Sequence, residues 1–170
     1  FVRITLKEIK KIIFEELLES MFASSRSKPY ELSGHTWEKG DVLYYFTTDQ
    51  DKGGLKYKVK FEEDNSWDEY RVWEISFNLT DRKQYDTTMK FDSRVLPTVF
   101  EAIKKFVRIG NEIASTEDEV YITFFGTPGK KDKGDTETKR TRLYKRFLPK
   151  GTKVIEDDDN NVTFAIDRDI

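Results

Sequence analysis

The chain has 170 residues, enough for about one domain built around a single core. Charged residues make up 36% of it, yet 30 Lys and Arg against 32 Asp and Glu leave a net charge of −2, which argues against wholesale nucleic-acid binding. There is no cysteine and only one histidine, His35, which excludes disulfides, thiolate chemistry and His-rich zinc sites, so any metal would need carboxylate ligands.

Thr5-Leu6-Lys7-Glu8 reads as a capping box, with Thr5 as N-cap and Glu8 reaching back. Behind it Leu6, Ile9, Ile13 and Leu17 recur at helical spacing, widened by Ile12 and Met21. Residues 1–23 are therefore expected to form an amphipathic helix that packs on its own domain, docks on another chain or is a removable leader, the polar linker after it favouring the last two. Its apolar stripe must be buried somewhere, since an isolated helix of this length is marginal in water. Charged residues from Lys7 to Glu16 interrupt every apolar run, so neither a signal peptide nor a membrane span is expected, and an intracellular location follows. The start at Phe1, without a methionine, fits a trimmed or processed form. The polar residues Ala23–Pro29 read as a linker, and 24–40 as the approach to a domain over 41–170.

Three strands follow, over Val42–Thr48, Leu55–Phe61 and Tyr70–Leu79. The second alternates Leu55, Tyr57, Val59 and Phe61 against Lys56, Lys58 and Lys60, and the third alternates Trp73, Ile75, Phe77 and Leu79 against Glu74, Ser76 and Asn78. Asp51-Lys52-Gly53-Gly54 supplies the first turn, and the polar residues Glu62–Asp68 separate the second and third strands. The expected product is an antiparallel meander with one wet face. A helix is expected over Arg94–Ile109, capped by Ser93, with Pro97 in its first turn and Gly110-Asn111 at its end. Then come a strand over Glu119–Phe125, a flexible loop over Gly126–Asp135 and a basic helix over Glu137–Leu148. A closing hairpin pairs Lys153–Glu156 with Val162–Ile166. The fold class is α+β.

This order of helix, meander, helix, strand, helix and hairpin resembles the acyl-CoA N-acyltransferase superfamily over about residues 41–167. The segment Arg142-Leu143-Tyr144-Lys145-Arg146-Phe147 is similar to that superfamily's helix bearing a leucine-tyrosine pair. The resemblance implies Tyr144 as the acid that protonates a departing coenzyme A thiolate and Glu74 as a general base, with acetyl-CoA as cofactor. Against it, the stretch Thr87–Arg94 lacks the glycines of a phosphate loop, and Asp92 sets a negative charge where a pyrophosphate would bind. The bland alternatives are a structural tyrosine beside Leu143 and Phe147, and a solvated glutamate on a strand face.

A second resemblance, carried by Tyr44–Thr48, Tyr57–Phe61, Trp73–Phe77 and the Arg-Leu-Tyr segment, is to small proteins of tailed bacteriophages. Leu17-Leu18-Glu19 before Ser20 is similar to a phage prohead-protease cleavage site. These likenesses imply a non-enzymatic phage protein without a cofactor, virion-associated or docking on phage or host proteins, in the host cytoplasm or the virion. Lys130–Lys150 holds nine Lys or Arg against three acids, leaving an excess of eight negative charges for the remainder. That asymmetry marks Lys130, Lys131, Lys139, Arg142 and Arg146 as candidates for partner docking or, as a further alternative, nucleic-acid binding.

Overall fold

Period-two patterning builds most of the sheet. In the computed structural model, which describes residues 28–80, 92–125, 148, 152–158 and 161–170, the strands are β1 (Thr36–Glu38), β2 (Asp41–Thr47), β3 (Lys56–Asp64), β4 (Val72–Leu79), β5 (Glu119–Phe125), β6 (Lys153–Asp158) and β7 (Asn161–Asp167). Helix α1 (Val95–Val107) lies between β4 and β5 and is the only α-helix among the described residues. The strands form one mixed sheet in the order β1-β2-β3-β4-β5-β7-β6. Every neighbouring pair is antiparallel except β4 and β5, which are parallel. The class is α+β, as the sequence implies.

One face of the sheet carries the core. Val42, Tyr44 and Phe46 on β2 oppose Phe61, Val59 and Tyr57 on β3, and these oppose Ile75, Phe77 and Leu79 on β4. Beyond the parallel junction the same face continues through Ile122 and Phe124 to Phe164 and Val162. Helix α1 covers it with Val99, Ala102, Ile103, Phe106 and Val107, all buried and recurring at helical spacing. Phe106 is the central plug: its ring lies flat on Phe61, centroids 3.9 Å apart, and meets the edge of Trp73 at 5.2 Å.

Several expectations need correction. The short edge strand β1 was not anticipated, because its three residues are all exposed and too few to show a period. Glu62–Asp64 belong to β3, where the sequence suggests only a separator, and β4 starts at Val72, not Tyr70. The turn after β2 is a 3-10 turn, Gln50–Lys52, closed by Gly53 at φ 103° and Gly54 at φ 57°. Helix α1 starts at Val95, and Ser93 is not its cap: the Asp92 carboxylate accepts a 3.0 Å hydrogen bond from the Arg94 backbone N–H. The chain then leaves α1 through Gly110 at φ 128°, as expected. The terminal hairpin pairs as expected, with a β-bulge between Val154 and Glu156. The amphipathic helix over 1–23, the loop over 126–135 and the basic helix over 137–148 lie outside the described residues, except Leu148, which packs against the core.

Candidate functional site

The start of helix α1 is where a phosphate-binding site would be built. Its surroundings are fully engaged. Asp92 caps the Arg94 N–H and accepts a 2.7 Å hydrogen bond from the Tyr30 hydroxyl. The Arg94 guanidinium lies 3.8 Å over the Tyr30 ring and donates to the carbonyl oxygens of Lys28 and Pro29 and, at 2.7 Å, to the Asp49 carboxylate. Thr98 adds a further tie, accepting from the Tyr30 backbone N–H while donating to the Arg94 carbonyl. Burial, helped by the acceptor Asp92, pushes the Tyr30 hydroxyl up to about 12. The Arg94 cation that could hold an anion is thus already paired with the Asp49 carboxylate, and the Asp92 carboxylate lies just before the helix.

Glu74 sits on the other face of the sheet, half-buried. Register places it directly opposite Glu62 on β3 and Thr123 on β5. Thr123 in turn opposes Thr163 on β7, which opposes Glu156 on β6. The two threonines are wholly buried and linked, Thr163 Oγ1 donating to Thr123 Oγ1 at 3.1 Å and Thr123 donating to Asn161 Oδ1. Burial holds the Glu74 carboxyl above its ordinary range, and the charges of Glu62 and Asp64 add to the rise while Lys60 opposes it. Lys60 is drawn instead to Glu62 at 2.5 Å and Asp41 at 3.6 Å. Glu74 thus has the raised affinity for a proton that a general base or acid uses. Beyond Ile75, β4 runs on past the last residue paired with β5, so Ser76–Leu79 extend free of that ladder.

The loop between β3 and β4 contributes residues that the sequence reading passed over. Asp64, Trp67, Asp68, Glu69 and Tyr70, with Glu156 from β6, line a pocket of about 470 Å³. Trp67 packs on Val72, Tyr121 and Ala165, and the Tyr70 ring meets the Tyr121 ring edge-on at 5.3 Å. Asp64, Asp68, Glu69 and Glu156 have no ion-pair partner among the described residues. The available signal was two aromatic residues bracketing an acidic pair inside a turn, Trp67-Asp68-Glu69-Tyr70.

Of the sequence-derived candidates, only Glu74 can be placed. Tyr144, Lys130, Lys131, Lys139, Arg142 and Arg146 lie outside the described residues. Among those described, no group of three carboxylate or histidine side chains could hold a metal ion, and no helix is long and apolar enough to cross a membrane. His35 is exposed, with its ring 6.1 Å from that of Tyr44. Comparison with protein-family models, curated proteins and solved structures finds no match to this chain.

Proposed function

We propose that this chain is a non-enzymatic protein-interaction domain, a bacteriophage protein that is virion-associated or docks on phage or host proteins, built on an acyl-CoA N-acyltransferase-like sheet. The sheet reading is supported by the element order, an antiparallel meander followed by helix, strand and terminal hairpin, and by the parallel junction between β4 and β5. The non-enzymatic reading rests on Asp92. Its carboxylate is hydrogen-bonded to Tyr30 and to the Arg94 backbone N–H just before α1, where the acyltransferase resemblance would require a pyrophosphate. The neighbouring cation, Arg94, is committed to Asp49 and two carbonyl groups. A dianion arriving there would displace these bonds and face two carboxylates. The β5–β7 ladder runs unbroken from Glu119 to Phe125, so no cleft opens between those strands.

Mass spectrometry of purified virions, combined with cross-linking of the full chain, tests the proposal. The expected result is recovery of its peptides from the virion or a cross-link to a defined partner. Absence from the virion together with no cross-linked partner would overturn it.

One observation favours the rival reading, an N-acyltransferase with Glu74 as base and Tyr144 as acid. Glu74 is half-buried, binds its proton more tightly than usual and lies where β4 and β5 run parallel, the kind of switch point at which open sheets hold ligands. That reading requires acyl-CoA binding, which the engaged start of α1 opposes.

A further inference from the structure

We propose that the pocket between the β3–β4 loop and β6 receives an arginine side chain from an extended basic segment of a partner protein. This assignment rests on the protein-interaction reading and names the chemistry of one docking point. Volume comes first: about 470 Å³ is ample for one long cationic side chain.

Charge is the second observation. Four carboxylates, Asp64, Asp68, Glu69 and Glu156, face the pocket without a counter-cation among the described residues. No three carboxylates there are close enough to share a metal ion, so the spacing suits an extended cation with several donors rather than a point charge.

The walls are the third and independent observation. Tyr70 is 44% exposed, and its ring meets that of Tyr121 edge-on at 5.3 Å. Trp67 is anchored on Val72, Tyr121 and Ala165. An exposed aromatic ring beside carboxylates that have no ion-pair partner among the described residues forms a cation-receiving surface.

The sheet edge supplies the direction of the incoming chain. Glu156 is on β6, an outermost strand of the sheet, where Val154 and Ile155 are 49% and 43% exposed. An extended segment laid along β6 sets a basic residue opposite Glu156 and its apolar residues against Val154 and Ile155. The opposite edge, β1, is only three residues long and offers no comparable ladder.

The test is calorimetric titration of the full chain with a capped hexapeptide alternating arginine and valine. The same peptide with glutamate for arginine, and spermine, serve as comparisons. Saturable binding of the arginine peptide that weakens with salt is expected. Tyr70→Phe should retain it, since the ring face is kept, while Tyr70→Ala should weaken it about two- to fivefold. Asp68→Asn with Glu69→Gln should weaken it by a similar or larger factor, roughly threefold or more. These positions are in an exposed loop, and circular dichroism is the check that each variant is folded. No heat at millimolar peptide, equal binding of the glutamate peptide, full retention in Tyr70→Ala, or equally tight binding of spermine would each overturn the assignment. If the peptide fails while the chain is still recovered from virions or cross-linked to a partner, only the pocket assignment falls.

Discussion

The Tyr30 hydroxyl and the Asp92 carboxylate are joined by a 2.7 Å hydrogen bond spanning 62 residues of sequence. That bond, with the Arg94 guanidinium stacked on the same ring, fastens the approach segment to the start of α1 and to the turn after β2. Removing the hydroxyl in Tyr30→Phe leaves the Asp92 carboxylate with one donor fewer and should cost about 1 kcal/mol. Arg94→Ala removes the stacking and several hydrogen bonds and should cost more, about 2 kcal/mol. Urea unfolding checks both; a Tyr30→Phe midpoint equal to the parent's would show that the bond contributes nothing.

Phe106 is the core residue whose loss should be felt most. It fills the space between α1, Phe61 and Trp73, so Phe106→Ala should lower stability by about 3–5 kcal/mol. Phe106→Leu, which keeps most of the volume, should cost markedly less. Equal midpoints for the two variants in denaturant would show that the stacking geometry and the cavity do not matter.

Two neighbouring glutamates should respond to pH in opposite senses. Glu63 is held below its ordinary range mainly by its hydrogen bonds to Arg71, so its contribution is present above the unfolded value of about 4.3 and is lost as pH falls through the folded value. Glu74 is held above its ordinary range by burial. Its contribution is present below about pH 4.3 and is lost as pH rises through the folded value. At neutral pH Glu63→Gln should therefore be less stable than the parent and Glu74→Gln more stable. Both differences should fade in acid. Thermal unfolding across pH 3 to 8 measures this, and a Glu74→Gln variant that is less stable at pH 7 would reverse the assigned environment.

The chain's exit from α1 turns on Gly110. Its φ of 128° is one that residues with a Cβ avoid, although a Cβ there would meet nothing within 4 Å. Gly110→Ala should thus cost roughly 1–2 kcal/mol through backbone strain alone. Unfolding measurements on this variant separate strain from crowding, since crowding is absent. A neutral effect would mean that the turn relaxes.

Much of this architecture was written in local pattern. The alternation in Lys56–Phe61 and Trp73–Leu79 announces strands with one apolar face, and Val99, Ile103 and Phe106 announce the buried stripe of α1. Period alone does not name a partner, however. The parallel pairing of Val72–Ile75 with Tyr121–Phe124 depends on the crossover through α1. Glu74 was identifiable as a candidate, but its like-charged neighbour Glu62 and the buried Thr123–Thr163 pair emerge only once register is known. Asp92 was legible as a charge out of place for a phosphate site. Its bond to Tyr30 was not, because contacts at such sequence distance leave no periodic trace. Trp67 and Tyr70 were hidden by their setting in a polar connection, where the fixing contacts with Tyr121 come from another strand.

The most direct measurement follows coenzyme A release. Because the chain contains no cysteine, any thiol that appears on incubation with acetyl-CoA and an amine is free coenzyme A. With a panel of amine acceptors, the expected result is no thiol above the uncatalysed background and no saturable heat on titration with acetyl-CoA. Time-dependent thiol release that is abolished by Glu74→Gln would contradict the non-enzymatic reading and establish the acyltransferase in its place.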